Sequence, residues 1–516
     1  MRPSSGNNIL PRLSQSFSIP SHLSAGAELL VVGTCNLNIL VPLDDLEQRF
    51  LAETACGGYS SSMNTARLQQ LDVAHVWHPF TPMQEYAREA TPVIAAGDGF
   101  YLWDTDGRRY LDGVSSLWCN IHGHWVPEID AAIRAQLELI AHSTLLGLGN
   151  IPSIELAQAL VQRAPPGLNR VFYSDDGSTA VEAALKLAWQ FHRQKSAEGS
   201  QRDIFICLSG AYHGDTVGAV SVGGIDRFHA AYRGMLFPTM QIPAPVTYRT
   251  PPDHTAVSYL QFCFDELERV FREWGSRIAG LVIEPLVQAA AGMLVHPSGY
   301  LRRARELTAL HGALLIADEV AVGFGRTGTL FACEQEQVTP DLLCLSKGLT
   351  GGYMPLAATL ATEEVYAEFL GEPADQRTFY HGHTYTGNPL ACATALASLH
   401  LFEKNNLLEN VARCEAVLKE KLTGLADHPH VGEVRQKGII VGIELVRDRA
   451  TKEAFADHLR LGHKITLSAR ERGVLIRPIG DVIEIFPAPA MPPELVGKLC
   501  DVVFEAIDAT LAAIEA

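Results

Sequence analysis

The chain has 516 residues, 41 Lys+Arg against 58 Asp+Glu, a formal net charge of −17, 47% hydrophobic residues and 19% charged ones. This composition excludes disordered, collagenous and fibrous classes, and the length suits roughly two to four domains of about 150 residues. The acidic balance argues against nucleic acid or an anionic membrane as the main partner, yet permits a locally positive pocket for a small anion.

Residues 1–62 read differently from the remainder. The first 27 hold seven Ser, Arg2 and Arg12, and no acid precedes Glu28. A targeting segment, a disordered extension and an over-extended start all fit this pattern. The run AELLVVGTCNLNILVPL from Ala27 contains a Glu and two Asn and is too short and polar to span a bilayer. Met63 precedes NTARLQQLDVAHVW, a helix-like stretch. The ten cysteines include no Cys-x-x-Cys pair, and several sit in apolar runs. They read as buried free thiols in a reducing compartment, and a cytoplasmic location is expected.

From about residue 150 the chain alternates short apolar runs, Gly- or Ser-rich turns and helical stretches. NRVFYSD leads into TAVEAALKLAWQFHRQ, whose Ala180, Val181, Ala184, Leu185 and Ala188 share one helical face. DIFICLSG, AGLVIEP, GALLIADEV and PDLLCLSKG are further runs bounded by Gly, Pro or charge. Continuous apolar strands between helices indicate an α/β fold with a mainly parallel sheet, in which ligands sit beyond the strands' carboxyl ends. Near the end, helical NLLENVARCEAVLKEKL precedes GIIVGIELV and VLIRPIGDVIEIFP, which alternate like a small mixed or antiparallel sheet.

The polar residues that close these runs carry the chemistry. Asp176-Gly177-Ser178-Thr179 lies between a strand and its helix, where backbone N–H groups and a hydroxyl can form a phosphate cup, although such turns are common without a ligand. Tyr212 follows DIFICLSG and can stack on a planar group or simply pack. Asp318 closes ALLIAD and can hold a heteroaromatic nitrogen protonated or cap a helix. Lys347 ends DLLCLS before GLTGG, where desolvation can free its amine for Schiff-base chemistry, or solvent can simply surround it. Taken together, cup, aromatic, carboxylate and lysine make a kit for pyridoxal phosphate. His122 with His124, and His381 with His383, have a spacing that can suit a metal, but no carboxylate or cysteine cluster accompanies them and no metal site is expected.

LLIADEVAVGFGRTG followed by DLLCLSKGLTGG resembles the signature of class III pyridoxal-phosphate aminotransferases. VWHPFT, DGVSSLW, IHGHWVPEID, FYSDDGSTAVEAALK, YHGDTVGAVSV, YHGHTYTGNPLAC and LIRPIGD extend the resemblance over nearly all of residues 70–510, towards the 7,8-diaminopelargonic acid synthases of biotin biosynthesis. The resemblance implies a fold-type I transferase and the conversion of 8-amino-7-oxononanoate to 7,8-diaminononanoate, with pyridoxal 5'-phosphate as cofactor. It further implies that Lys347 forms the Schiff base and moves the proton, that Asp318 pairs with the pyridine nitrogen, and that Gly177 and Ser178 bind phosphate. His383 and Thr384 would join the phosphate from the partner subunit of a homodimer. Tyr212 would stack on the ring, Gly382 would line the substrate site, and Arg477 would receive the substrate carboxylate. Outside that context Arg477 reads as a surface ion-pair residue. Phe80 and Leu117 stand where adenosylmethionine-using members carry Tyr and Trp, and at both positions the chain resembles a lysine-using branch. S-adenosyl-L-methionine is the expected donor, with L-lysine, or another ω-amino acid activity of class III, as the alternative.

The expected organisation is an N-terminal extension over 1–62, the first part of a small α+β domain over 63–120, a large cofactor-binding domain over 121–400, and the rest of the small domain over 401–516.

Overall fold

Seven apolar runs fold into one sheet: β1 (Leu168–Ser174), β2 (Ile204–Leu208), β3 (Met240–Ile242), β4 (Ile278–Ile283), β5 (Leu314–Asp318), β6 (Leu342–Leu345) and β7 (Ala357–Thr362). Their order is β1-β7-β6-β5-β4-β2-β3. The pairings β6–β5, β5–β4, β4–β2 and β2–β3 are parallel. Only β7 is reversed, being antiparallel to β6 and to β1. β1 therefore runs with the other five, and six strands end on the same edge. Every residue of β4, β5 and β6 is buried, as expected of strands covered on both faces. Alternate residues serve the two faces: Leu315 and Leu343 join one apolar core, while Ile316, Leu342 and Cys344 join the other.

This computed structural model describes the antiparallel pair Leu29–Thr34 and Leu37–Pro42 and residues 64–196, 201–425 and 427–515. The sequence expectation for residues 1–62 otherwise lies outside the described residues. The chain divides into two compact units, Met1–Val93 and Ile94–Ala516. In the first, helix Thr65–His75 is capped by Asn64, whose side chain accepts the Arg67 N–H at 3.0 Å. Asp72 on that helix holds His78 at 3.0 Å and the Tyr86 hydroxyl.

In the second unit, helix α1 (Gly177–Lys195) buries all five residues of its predicted face. The distal part of the chain builds an antiparallel sheet from Val431–Lys437, Ile440–Leu445, Val482–Ile485 and Pro478–Ile479. Val474–Leu475 pairs instead in parallel with Arg109–Asp112, in a sheet with Tyr101–Asp104 and Ile94–Asp98. Segments more than three hundred positions apart thus share one sheet. Among the described residues eight cysteines are free thiols, seven of them buried and Cys119 partly so. Among the described residues no helix is long and apolar enough to cross a membrane.

Arg326 ties these parts together. Its side chain is only 1% exposed. One guanidinium nitrogen donates to Pro487 O at 2.6 Å and to Ser115 Oγ at 3.3 Å, and another donates to Asn120 O at 2.9 Å. Its charge centre lies 4.8 Å from the Phe486 ring. Burial pulls its pKa down to about 9, opposed by Cys119 and Asp112. Arg326→Met keeps much of the volume but strands the buried carbonyls of Pro487 and Asn120, at about 1–3 kcal/mol each. A melting curve is expected to show a clear drop in Tm for this variant, and an unchanged Tm would remove Arg326 from its bridging role.

Candidate active site

Strand direction gathers the polar residues. Asp318 is the last residue of β5, in register with Cys344 of β6, and Lys347 follows the end of β6 by two residues. Glu284 follows β4, Tyr212 and His213 follow β2, and Gly177 and Ser178 follow β1. All five strands are parallel, so these side chains meet at one edge.

Asp318 is 4% exposed and satisfied at both oxygens. The Val320 N–H donates to Oδ1 at 3.0 Å, and His213 Nδ1 lies 2.8 Å from Oδ2. An ionised carboxylate only accepts, so in that form of Asp318 the shared proton belongs to His213 Nδ1. His213 is itself buried, and its Nε2 has no hydrogen-bond partner among the described residues. Glu284 accepts the Tyr212 N–H at 3.1 Å and the Ala289 N–H at 3.0 Å. Burial pushes Glu284 up to about 7, with His213 opposing and Asp318 adding to the shift. Glu319 is likewise pushed up to about 7 by burial, against backbone donors from Cys333 and Ala332 at 2.8 and 2.6 Å.

Lys347 takes a left-handed backbone, with φ at 46°. Burial lowers its ammonium pKa, and the negative charge of Asp318 and Glu284 opposes that shift. Its Nζ stands 4.6 Å from the centre of the Trp118 ring. Trp118 closes an unusual turn in which Ser115, Ser116, Leu117 and Trp118 all have positive φ, at 47, 42, 64 and 70°. Left-handed backbone costs roughly 1–2 kcal/mol per non-glycine residue, so the turn needs support. Asp112 supplies part of it, accepting the Ser116 N–H at 2.7 Å and the Ser116 hydroxyl at 2.8 Å, with His124 Nε2 at 3.0 Å. The Ser115 hydroxyl donates to Phe486 O at 2.5 Å. Trp118 then stacks on Phe486, with centroids 5.2 Å apart, and its indole N–H donates to Glu484 Oε2 at 3.0 Å. Leu117, on the same turn, remains 39% exposed.

The start of α1 is closed by a capping box in which the Asp176 side chain takes the Thr179 N–H at 2.9 Å. The cap leaves the Gly177 and Ser178 N–H groups to an anion. The space around them is fitted to small residues: a Cβ on Gly177 would stand 2.6 Å from Val320, and one on Gly214 would stand 1.9 Å from Ser178 Oγ. Ser178 Oγ accepts the Asp215 N–H at 3.1 Å, and Asp215 takes the Tyr212 hydroxyl at 2.7 Å, linking the cup to the aromatic. Arg477 is partly buried, and its charge acts on both Tyr212 and Glu484.

Of the predicted residues, Gly177, Ser178, Tyr212, Asp318, Lys347, Leu117 and Arg477 belong to this end of the second unit. Gly382 and Thr384 are exposed, and His383 Nδ1 lies 2.9 Å from Asp175. Phe80 belongs to the first unit, with an exposed ring and φ at 53°. Sequence reasoning passed over His213, Glu284, Trp118 and Glu484 as site residues. Glu284 carried a usable signal, since it closes AGLVIEP as Asp318 closes ALLIAD; Glu484 carried another, an acid at an inward position of the alternating run VIEIFP.

A buried lysine and a strand-end carboxylate beside an anion cup can bind an anionic heteroaromatic aldehyde and move protons on a substrate held there. The comparisons with known proteins agree with this chemistry. The family model "Aminotransferase class-III" matches residues 84–507. The adenosylmethionine-8-amino-7-oxononanoate aminotransferase of Nitratidesulfovibrio vulgaris is 56% identical over 427 residues, which is 83% of this chain and 79% of that protein. The crystal structure of the enzyme of that name from Methanocaldococcus jannaschii is 42% identical, with a TM-score of 0.82 over 86% of this chain and 99% of that one. An (S)-enantioselective omega-transaminase from Thermomicrobium roseum is 35% identical, with a TM-score of 0.81 over 88% of this chain and 99% of its own. With its mixed α/β sheet and a family match spanning most of its length, the chain belongs to the class-III aminotransferases.

Proposed function

We propose that this chain is the pyridoxal 5'-phosphate-dependent aminotransferase that converts 8-amino-7-oxononanoate to 7,8-diaminononanoate in biotin biosynthesis, with S-adenosyl-L-methionine as amino donor. The observation that carries the reading is Lys347, its ammonium pKa lowered by burial, among the strand-end acids Asp318 and Glu284 beside the Gly177–Ser178 cup. The tight clearances around Gly177 and Gly214, and the acid–histidine pair at Asp318, fit a phosphate at one end of a planar ring and a protonated ring nitrogen at the other.

Pyridoxal phosphate, when bound, supplies an electron sink for the substrate carbon that gains or loses nitrogen. The chain's own residues do the rest. Gly177 and Ser178 bind the phosphate through N–H groups and a hydroxyl at the positive end of α1. Asp318 keeps the ring nitrogen protonated, and His213 fixes the orientation of that carboxylate. Lys347 Nζ moves the proton at the reacting carbon, because burial weakens its hold on its own proton. Trp118 and Tyr212 wall the site against water. Arg477 grips the substrate carboxylate, a task suited to a planar guanidinium. Gly382, His383 and Thr384 serve the active site of a second copy in a homodimer. Exposed Tyr380 and Tyr385 beside them, and exposed Leu139, Leu146 and Ile151, support that assignment. The location assigned is the cytoplasm.

A second reading concerns the donor alone. Leu117 offers no indole for adenosylmethionine, which favours L-lysine in its place.

Three outcomes test these statements. Mixing the cofactor-loaded enzyme with each donor separately is expected to bleach the cofactor absorbance with adenosylmethionine. Bleaching by lysine alone would move the assignment to the second reading, and bleaching by neither would end the biotin assignment. Lys347→Ala is expected to abolish turnover while still binding cofactor noncovalently, and retained transamination would overturn the role of Lys347. Thr384→Glu, which sets a carboxylate against the phosphate, is expected to be inactive alone. Refolded together with Lys347→Ala, it is expected to recover activity, because one site of each mixed dimer then holds both native residues; no recovery would place Thr384 in its own subunit's site.

A further inference from the structure

Three buried acids at the strand ends are already matched at both oxygens. Asp318 has His213 and the Val320 N–H, Glu284 has the N–H groups of Tyr212 and Ala289, and Glu319 has those of Ala332 and Cys333. Glu484 is different. It is fully buried, Oε2 takes the Trp118 indole N–H at 3.0 Å, and Oε1 is buried with no hydrogen-bond partner among the described residues. A buried carboxylate oxygen left unmatched costs free energy that a cation or donor would recover. Burial pushes Glu484 up to about 8, opposed by the Trp118 hydrogen bond and by the charges of Arg477 and Lys347.

Its position is specific. Trp118 connects it to the reacting lysine, presenting its ring face to Lys347 Nζ and its edge to Glu484. Arg477 lies near enough to act on both Tyr212 and Glu484. The site thus offers a guanidinium for an anion and, at Glu484, an unmatched oxygen whose ionised form a bound ammonium would favour against the effect of burial. The ketone assigned above carries a carboxylate at one end and an ammonium on the carbon next to the ketone that is aminated.

We propose that Glu484 is a specificity-determining residue whose free Oε1 accepts the ammonium beside the reacting carbonyl of the substrate, so that the site selects α-amino ketones over plain ketones. The proposal rests on the assignment of 8-amino-7-oxononanoate as substrate. Trp118 acts as a positioning residue, holding the second oxygen and leaving the first for the ligand. A charge-assisted hydrogen bond of this kind contributes about 1.5–3 kcal/mol, or roughly ten- to a hundredfold in selectivity.

The test compares kcat/KM for 8-amino-7-oxononanoate with that for 7-oxononanoate, which lacks only the amine, in the wild-type holoenzyme and in Glu484→Gln. The carboxamide keeps an acceptor for the Trp118 indole and removes the charge. The wild-type preference for the aminated ketone is expected to fall about tenfold or more in Glu484→Gln, chiefly through KM. A preference unchanged within about twofold would overturn the proposal. If Glu484→Gln does not fold, as judged by its melting curve, Glu484→Asp is measured in its place: a lowered ratio supports the proposal and an unchanged one overturns it. A wild-type enzyme that fails to aminate 8-amino-7-oxononanoate would overturn the substrate assignment, and this proposal with it. Wild-type turnover with an unmoved ratio would overturn this proposal alone.

Discussion

The site depends on keeping one lysine amine buried among acids without letting those acids hold its proton. Asp318 and Glu284 both favour the charged ammonium, and desolvation outweighs them. The balance is possible because the acids are occupied elsewhere. Asp318 is committed to His213 and a backbone N–H, and Glu284 sits between two backbone donors with its own pKa raised to about 7. Had either carboxylate faced Lys347 with free oxygens, a tight ion pair would have locked the amine as ammonium and removed it as a base. The backbone hydrogen bonds at the ends of β2, β4 and β5 therefore set the surroundings of Lys347 as well as the fold.

The same constraint explains where strain is stored. Lys347 and the four residues Ser115–Trp118 occupy left-handed backbone, which ordinary side chains avoid. The turn brings an indole against the lysine amine, and it is held by groups from distant parts of the chain: Asp112 before it, Phe486 and Glu484 near the end of the sequence, and Arg326 through Ser115. A surface loop could not hold that shape, because each support is either buried or part of a strand. The pairing of Val474–Leu475 with Arg109–Asp112 is what brings these supports together.

Much of this was legible in the sequence, for a physical reason. In a parallel sheet the strand ends are where polar residues can leave the core, so ALLIAD, DLLCLSK and NRVFYSDDGS announce both the sheet and the site. Helix α1 was readable from its apolar face, and the distal antiparallel sheet from its alternation. The reversed strand β7 was not: AATLAT has neither charge nor turn residues to set its direction, which its neighbours decide. The left-handed run in DGVSSLW was hidden too, since nothing in Ser-Ser-Leu-Trp favours positive φ. Tertiary hydrogen bonds impose it. Likewise His213 and Glu484 acquire their roles only through partners 105 and 366 positions away.

The contrast between Asp318 and Glu484 shows how one residue type can serve two ends. Both are buried carboxylates, and both lie on strands that feed the same site. Asp318 has one partner at each oxygen, a fixed orientation suited to a constant partner such as a ring nitrogen. Glu484 is under-supplied, with one oxygen committed to an indole and the other to nothing among the described residues. A group that binds and leaves with each cycle needs a receptor that no protein donor already satisfies, and the energy of that match is available only to the ligand that carries the opposite charge. On the roles proposed for them, the satisfied Asp318 holds the permanent part of the site and the unsatisfied Glu484 discriminates among ligands.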